Sequence, residues 1–234
     1  MHYCAGALKQ NLNSNRGEKA VKNQAVIFDL DGTLVDTLVD LAETCNAILA
    51  EFGFLPHPLE AYRYFVGNGL RRMIEQILPE GEEDKVEQGL ALFQTLYAKN
   101  WQKNAVPYAG IHEALEGLSS RGLQLAVLSN KPHDFTCMFV DYYFPEKPFR
   151  LVYGQQPGGP RKPDPSMAIR ILKELKCDAE NAVFVGDTAM DILTGVRAGM
   201  KTIGVKWGFR EEKELRDSGA SVIIEQPSQL LEQI

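Results

Sequence analysis

The sequence lacks most of what would tie it to a membrane, a nucleic acid or an oxidising compartment. No apolar run approaches the roughly 18–20 residues that span a bilayer. Basic residues are outnumbered: 25 Lys and Arg face 31 Asp and Glu, a formal charge of −6. That is the wrong sign for a phosphate backbone. Cysteine is sparse, and Cys4, Cys45, Cys137 and Cys177 form no C-x-x-C pair. A disulfide framework or cysteine zinc site is excluded on that spacing. The cysteines read as free thiols of a reducing compartment, so the expected location is cytoplasmic. His2, His57, His112 and His133 show no ligand spacing, and there is no internal repeat or low-complexity tract. Residues 1–22 are mostly polar without a long apolar core, so they make no signal peptide and are expected to be a disordered tail. The expected partner is a small molecule, with no nucleic acid and no membrane, and the chain a monomer or homodimer.

What is present is a globular composition, 44% apolar and 24% charged over 234 residues, enough for one large or two small domains. Short continuous apolar runs fall at 25–30, 123–130, 150–154, 181–187, 202–205 and 221–225. Continuous rather than alternating runs suit strands covered on both faces. Helical stripes separate them, such as Ile111, Leu115 and Leu118, or Ala168, Ile171, Leu172 and Leu175. The pattern predicts an α/β fold: a Rossmann-like parallel sheet with helices on both faces. Residues 37–105 interrupt it with three amphipathic stripes, around Leu41–Phe52, Leu70–Leu78 and Val86–Tyr97. An α-helical domain inserted after the first strand is therefore expected over 37–105, with the α/β layer made of 23–36 and 106–234.

Parallel sheets bind ligands at the carboxyl ends of their strands. The first run, within "VIFDLDGTLVD", ends in Asp29 and Asp31. The second ends in Ser129 and Asn130, the fourth in Gly186 and Asp187, with Asp191 one helical turn on. A Pro-rich loop between the third and fourth carries Lys162. On an extended chain Asp29 and Asp31 point the same way. Gly32 permits a sharp turn, and Thr33 offers a hydroxyl and an amide. Clustered carboxylates are tolerable around a hard cation such as Mg²⁺. Asp29, Asp31 and Asp187 are its candidate ligands, and Ser129, Asn130, Lys162, Gly32 and Thr33 candidate phosphate contacts. Carboxylates, a divalent ion, a hydroxyl and a lysine around one point describe phosphoryl transfer. "GNG" at 67–69 lacks the third glycine of a dinucleotide loop and follows no strand.

"DLDGTLVDT" (29–37), "VLSNK" (127–131), "RKPDP" (161–165) and "GDTAMDILTGVRAGM" (186–200) resemble, in order, the four motifs of the haloacid dehalogenase superfamily. The resemblance covers about residues 24–225, and the helical insert is similar to that superfamily's C1 cap. "FVGNGL" (65–70) is similar to a cap segment of its phosphoglycolate phosphatases. The resemblance implies that Asp29 is the nucleophile and Asp31 the acid and base. It implies that Ser129 holds a phosphoryl oxygen and Lys162 offsets charge. It places Mg²⁺ on the Asp29 side chain, the Asp31 main-chain carbonyl and the Asp187 side chain, with Asp191 orienting ligands or Lys162. Asn68 and Arg71, with Arg72, are candidate substrate contacts from the cap. Retention of Asp31 favours phosphoryl chemistry over halide removal. The expected function is Mg²⁺-dependent hydrolysis of a small phosphomonoester, 2-phosphoglycolate being the named candidate. A β-phosphoglucomutase-like phosphotransferase, a pyrophosphatase and a non-catalytic binding protein are the alternatives.

Overall fold

A computed structural model describes residues 24–234; the expected tail at 1–22 lies outside them. The first apolar run forms β1 (Ala25–Phe28). Leu30 then accepts the amides of Thr33, Leu34 and Val35, and this turn ends the strand. After the two-residue strand β2 (Val35–Asp36) come four helices: α1 (Leu38–Glu51), α2 (Leu59–Phe65), α3 (Leu70–Ile77) and α4 (Val86–Asn100). The two-residue strand β3 (Val106–Pro107) returns antiparallel to β2. The helices α1, α3 and α4 follow the apolar stripes. The helix α2 carries no such stripe, because Tyr62 is its sole buried residue.

The remaining chain alternates helix and strand: α5 (Ile111–Ser120), β4 (Gln124–Pro132), α6 (His133–Tyr143), β5 (Phe149–Gln155), α7 (Ser166–Leu175), β6 (Ala182–Gly186), α8 (Ala189–Arg197), β7 (Lys201–Val205), α9 (Glu212–Asp217), β8 (Val222–Ile224) and α10 (Leu230–Gln233). The sheet order is β5-β4-β1-β6-β7-β8, every pairing parallel. Central β1 and β6 are buried at every residue, which is why their sequences run apolar without alternation. Val26 and Phe28 face one core cluster, Ile27 and Ala25 the other. The first cluster continues into the helical insert through Leu41, Ile48, Met73, Phe93 and Tyr97. Among the described residues no helix is long and apolar enough to cross a membrane.

Candidate active site

The carboxyl ends of β1, β4 and β6 lie side by side in the sheet, and their polar extensions meet there. Asp29 is buried at the end of β1. Its Oδ1 accepts the Leu30 amide at 2.7 Å and faces Lys162 Nζ at 2.8 Å. Its Oδ2 accepts no hydrogen bond from the described residues. Lys162 also donates to Asp191 Oδ1 at 2.6 Å. Asp191 Oδ2 accepts the amide and hydroxyl of Thr188, capping α8. Asp191 thus serves the helix and Lys162 together.

Asp187 is held on both oxygens: Thr33 Oγ1 donates to Oδ1 at 3.0 Å, and the Phe209 amide to Oδ2 at 2.8 Å. Gly32 has φ +82°, and a Cβ there would overlap the Asp187 carboxylate, so the turn needs glycine for conformation and for space. Carboxylate oxygens of Asp29, Asp187 and Asp191 lie within 4.8 Å of one another. Burial, then the charge of Asp191, pushes Asp29 well above the usual carboxylate range, against the pull of Lys162. The same two causes push Asp187 up to about 7. Burial pulls the Lys162 ammonium down, but Asp191 and Asp29 outweigh it and hold it above its ordinary value. Three buried carboxylates with one lysine between two of them have negative charge in excess. That oxygen donor set fits a hard divalent cation.

Asp31 does not join this cluster. Its carboxylate lines the same cavity as Asp29 but stands outside the group formed by Asp29, Asp187 and Asp191. The Asp31 carboxylate turns instead to Lys131 Nζ, at 3.0 and 3.3 Å, and accepts the Thr37 hydroxyl at 2.8 Å. Lys131 also bonds the Tyr97 hydroxyl of α4 at 2.9 Å and lies over the rings of Tyr97 and Phe139. Burial lowers its pKa, against the pull of Asp31. Sequence reasoning missed Lys131, although it stands within "VLSNK"; a lysine two residues beyond the Ser is not marked by charge alone.

Other expected contacts have different partners. The Thr33 hydroxyl is on Asp187, and the Gly32 amide is bonded to the Val35 carbonyl. Asn130 donates to the carbonyls of Gly67 and Lys162 and accepts the Lys162 amide. Its side chain therefore ties the Lys162 loop to the insert rather than pointing free. Ser129 is buried and lines the cavity with Asp29. Arg71 is half-exposed and paired with Glu87 at 2.8 Å, Arg72 pairs with Glu75, and Asn68 does not line the cavity.

That cavity, about 40 Å³, has Asp29, Asp31, Ser129, Asn130 and Lys131 on the sheet side. Leu41, Val66, Leu70, Met73, Phe93 and Tyr97 of the insert line its other side. Among the described residues Lys131 is its sole lining cation. An outer groove of about 950 Å³ shares Gly69, Leu70, Asn130 and Pro132 with it and carries Arg71 and Arg161.

A Rossmann-like parallel sheet here gathers acidic side chains and a lysine at its strand ends, against helices of the insert. The chain belongs to the haloacid dehalogenase-like hydrolase family, whose profile matches residues 26–205. It is 32% identical over 201 residues to a phosphoglycolate phosphatase of Psychrobacter arcticus, covering 82% of this chain and 87% of that protein. It is 31% identical over 212 residues to a phosphoglycolate phosphatase of Pseudomonas putida, covering 88% and 78%. Its fold superposes on the crystal structure of a putative phosphoglycolate phosphatase from Lactobacillus delbrueckii subsp. bulgaricus with TM-score 0.84 and 31% identity, covering 92% of this chain and 99% of that one.

Proposed function

We propose that the protein is a phosphomonoester hydrolase for a small metabolite with an acidic leaving group, 2-phosphoglycolate. One observation carries the reading. The Asp29 carboxylate has one oxygen fixed by the Leu30 amide and Lys162, and the other without a donor among the described residues, in a cavity between the strand ends and the insert. A carboxylate oriented in this way suits attack on phosphorus, giving an aspartyl-phosphate and a free alkoxide. Asp31, beside it on the cavity wall, protonates that alkoxide and later takes a proton from the hydrolytic water. Ser129 holds a phosphoryl oxygen, and Lys162 balances the charge of Asp29 and the transferring group. The Asp29 and Asp187 carboxylates, with the Asp31 main-chain oxygen, would hold Mg²⁺, which supplies charge neutralisation at the phosphoryl oxygens. Asp191 positions Lys162. The apolar insert keeps bulk water from the intermediate.

Two points favour 2-phosphoglycolate. The relatives above carry that activity in their names. The cavity is small, and Lys131 with the Tyr97 hydroxyl offers a cation and a donor where a carboxylate next to the ester would sit. The test is phosphate release from 2-phosphoglycolate, β-glucose 1-phosphate and pyrophosphate, each with Mg²⁺ and with EDTA. Mg²⁺-dependent hydrolysis with 2-phosphoglycolate preferred is expected. No Mg²⁺-dependent release from any of the three sinks the reading, and preference for either other substrate sinks the substrate.

A further inference from the structure

Two arginines cross between the helical insert and the α/β layer in opposite directions. Arg63, on α2, donates from Nε to the Phe209 carbonyl and from Nη2 to the Gly208 carbonyl, both at 3.0 Å. Arg210, next in that same loop, donates back from Nη2 to the Val66 carbonyl at 2.9 Å and the Tyr64 carbonyl at 3.3 Å. Arg210 is buried and braced by Glu214 of α9 at 3.3 Å. Arg63 makes no ion pair with any described residue; its hydrogen bonds go to the loop carbonyls alone.

The loop the arginines grip is the loop that holds Asp187. The Phe209 amide donates to Asp187 Oδ2, and Gly208 lies so close that a Cβ there would overlap Asp187 and the Gly32 carbonyl. The Trp207 indole donates to the Thr33 carbonyl at 3.0 Å, and the Thr33 hydroxyl bonds the other Asp187 oxygen. The Gly208 carbonyl and the Phe209 amide belong to one peptide unit. That unit is planar and rigid, and its C=O and N–H point in opposite directions. Arg63 is therefore joined to Asp187 through a single plate: Arg63 Nη2 bonds one edge, Asp187 Oδ2 the other. Rotating the plate breaks both bonds, and each bond polarises the other.

We infer that Arg63 is a positioning residue that couples seating of the insert to the placement of Asp187, so that closure and Mg²⁺ loading favour each other. When the insert lifts, the 208–209 peptide loses its carbonyl partner and no longer fixes the Asp187 carboxylate. By reciprocity, whatever factor closure adds to Mg²⁺ affinity, Mg²⁺ adds to closure. The inference rests on the proposed metal role of Asp187.

The test titrates the full-length chain with MgCl₂, following the intrinsic fluorescence of Trp101 and Trp207 together and hydrogen exchange of residues 59–69. In the wild type, Mg²⁺ is expected to change the fluorescence and slow exchange in that segment. Arg63→Met is expected to weaken Mg²⁺ binding about 5–30-fold and to abolish the protection, a coupling of ordinary size. Its activity deficit is expected to shrink as Mg²⁺ is raised, which a merely structural loss would not do. Arg63→Lys keeps the charge but not the two-carbonyl fork, so it is expected to fall between, and it carries the test if the Met variant does not fold. A wild type indifferent to Mg²⁺ overturns the metal role of Asp187 and this inference with it. A responsive wild type matched in affinity by both variants overturns the coupling alone.

Discussion

Asp29 and Lys131 divide the proposed work of the cavity between them. Asp29→Asn keeps the hydrogen bond from Leu30 and removes the nucleophilic charge. Turnover is expected to fall by at least about a thousand-fold with the fold retained by circular dichroism; substantial residual turnover in steady-state assays would exclude the covalent route. Lys131→Met keeps the packing against Tyr97 and Phe139 while removing the charge. Activity should fall on every substrate, because Asp31 loses a partner. It should fall about 10–100-fold further on 2-phosphoglycolate than on 2-hydroxyethyl phosphate, whose leaving group has no carboxylate. Equal losses in kcat/KM on the two would remove Lys131 as a reader of the substrate.

At the scale of elements, the base of the insert is closed by one buried aspartate. Asp40, in the first turn of α1, is 1% exposed. It accepts the amides of Asn104 and Ala105 and the side-chain amide of Asn104. The chain entering the insert is thereby tied to the chain leaving it, next to the β2–β3 ribbon. Asp40→Ala leaves the buried Ala105 amide without a partner and releases Asn104 to solvent, and a loss of about 1–3 kcal/mol is expected in denaturant unfolding. Nothing in the sequence distinguishes Asp40 from a carboxylate that merely complements the first turn of its helix. Its partners lie more than sixty positions away, so only the folded chain reveals the bond.

For the whole molecule, the site stores charge that opposes folding at neutral pH. Asp187, raised to about 7, and Asp29, raised well above its ordinary range, bind protons more tightly folded than unfolded. Between the unfolded and folded values the native state holds more protons, so stability falls as pH rises through that window. In EDTA the melting temperature is expected to drop as pH rises from about 4 to about 7. Mg²⁺ is expected to restore it most at the upper end, by binding the native carboxylates. A melting temperature that rises with pH in EDTA would contradict the arrangement.

The class of fold was legible in the sequence, because strands buried on both faces must read as continuous apolar runs and the helices between them as stripes. So was the convergence of Asp29, Ser129, Lys162 and Asp187, since parallel strands deliver their carboxyl ends to one edge. The direction of each side chain was not legible. Asp29 and Asp31 line one cavity, yet the Asp31 carboxylate is bonded to Lys131 and Thr37 rather than grouped with Asp187 and Asp191. Asp191 is the third carboxylate beside Asp29 and Asp187. Thr33, Gly32 and Asn130 bond within the protein instead of standing open. Lys131, Arg63 and Arg210 drew no notice, because an isolated basic residue reads as a solvated charge until its partners are known. Hydrophobic periodicity is a local property that residue order encodes. The partners of a buried charge come from distant segments, and only tertiary structure chose them.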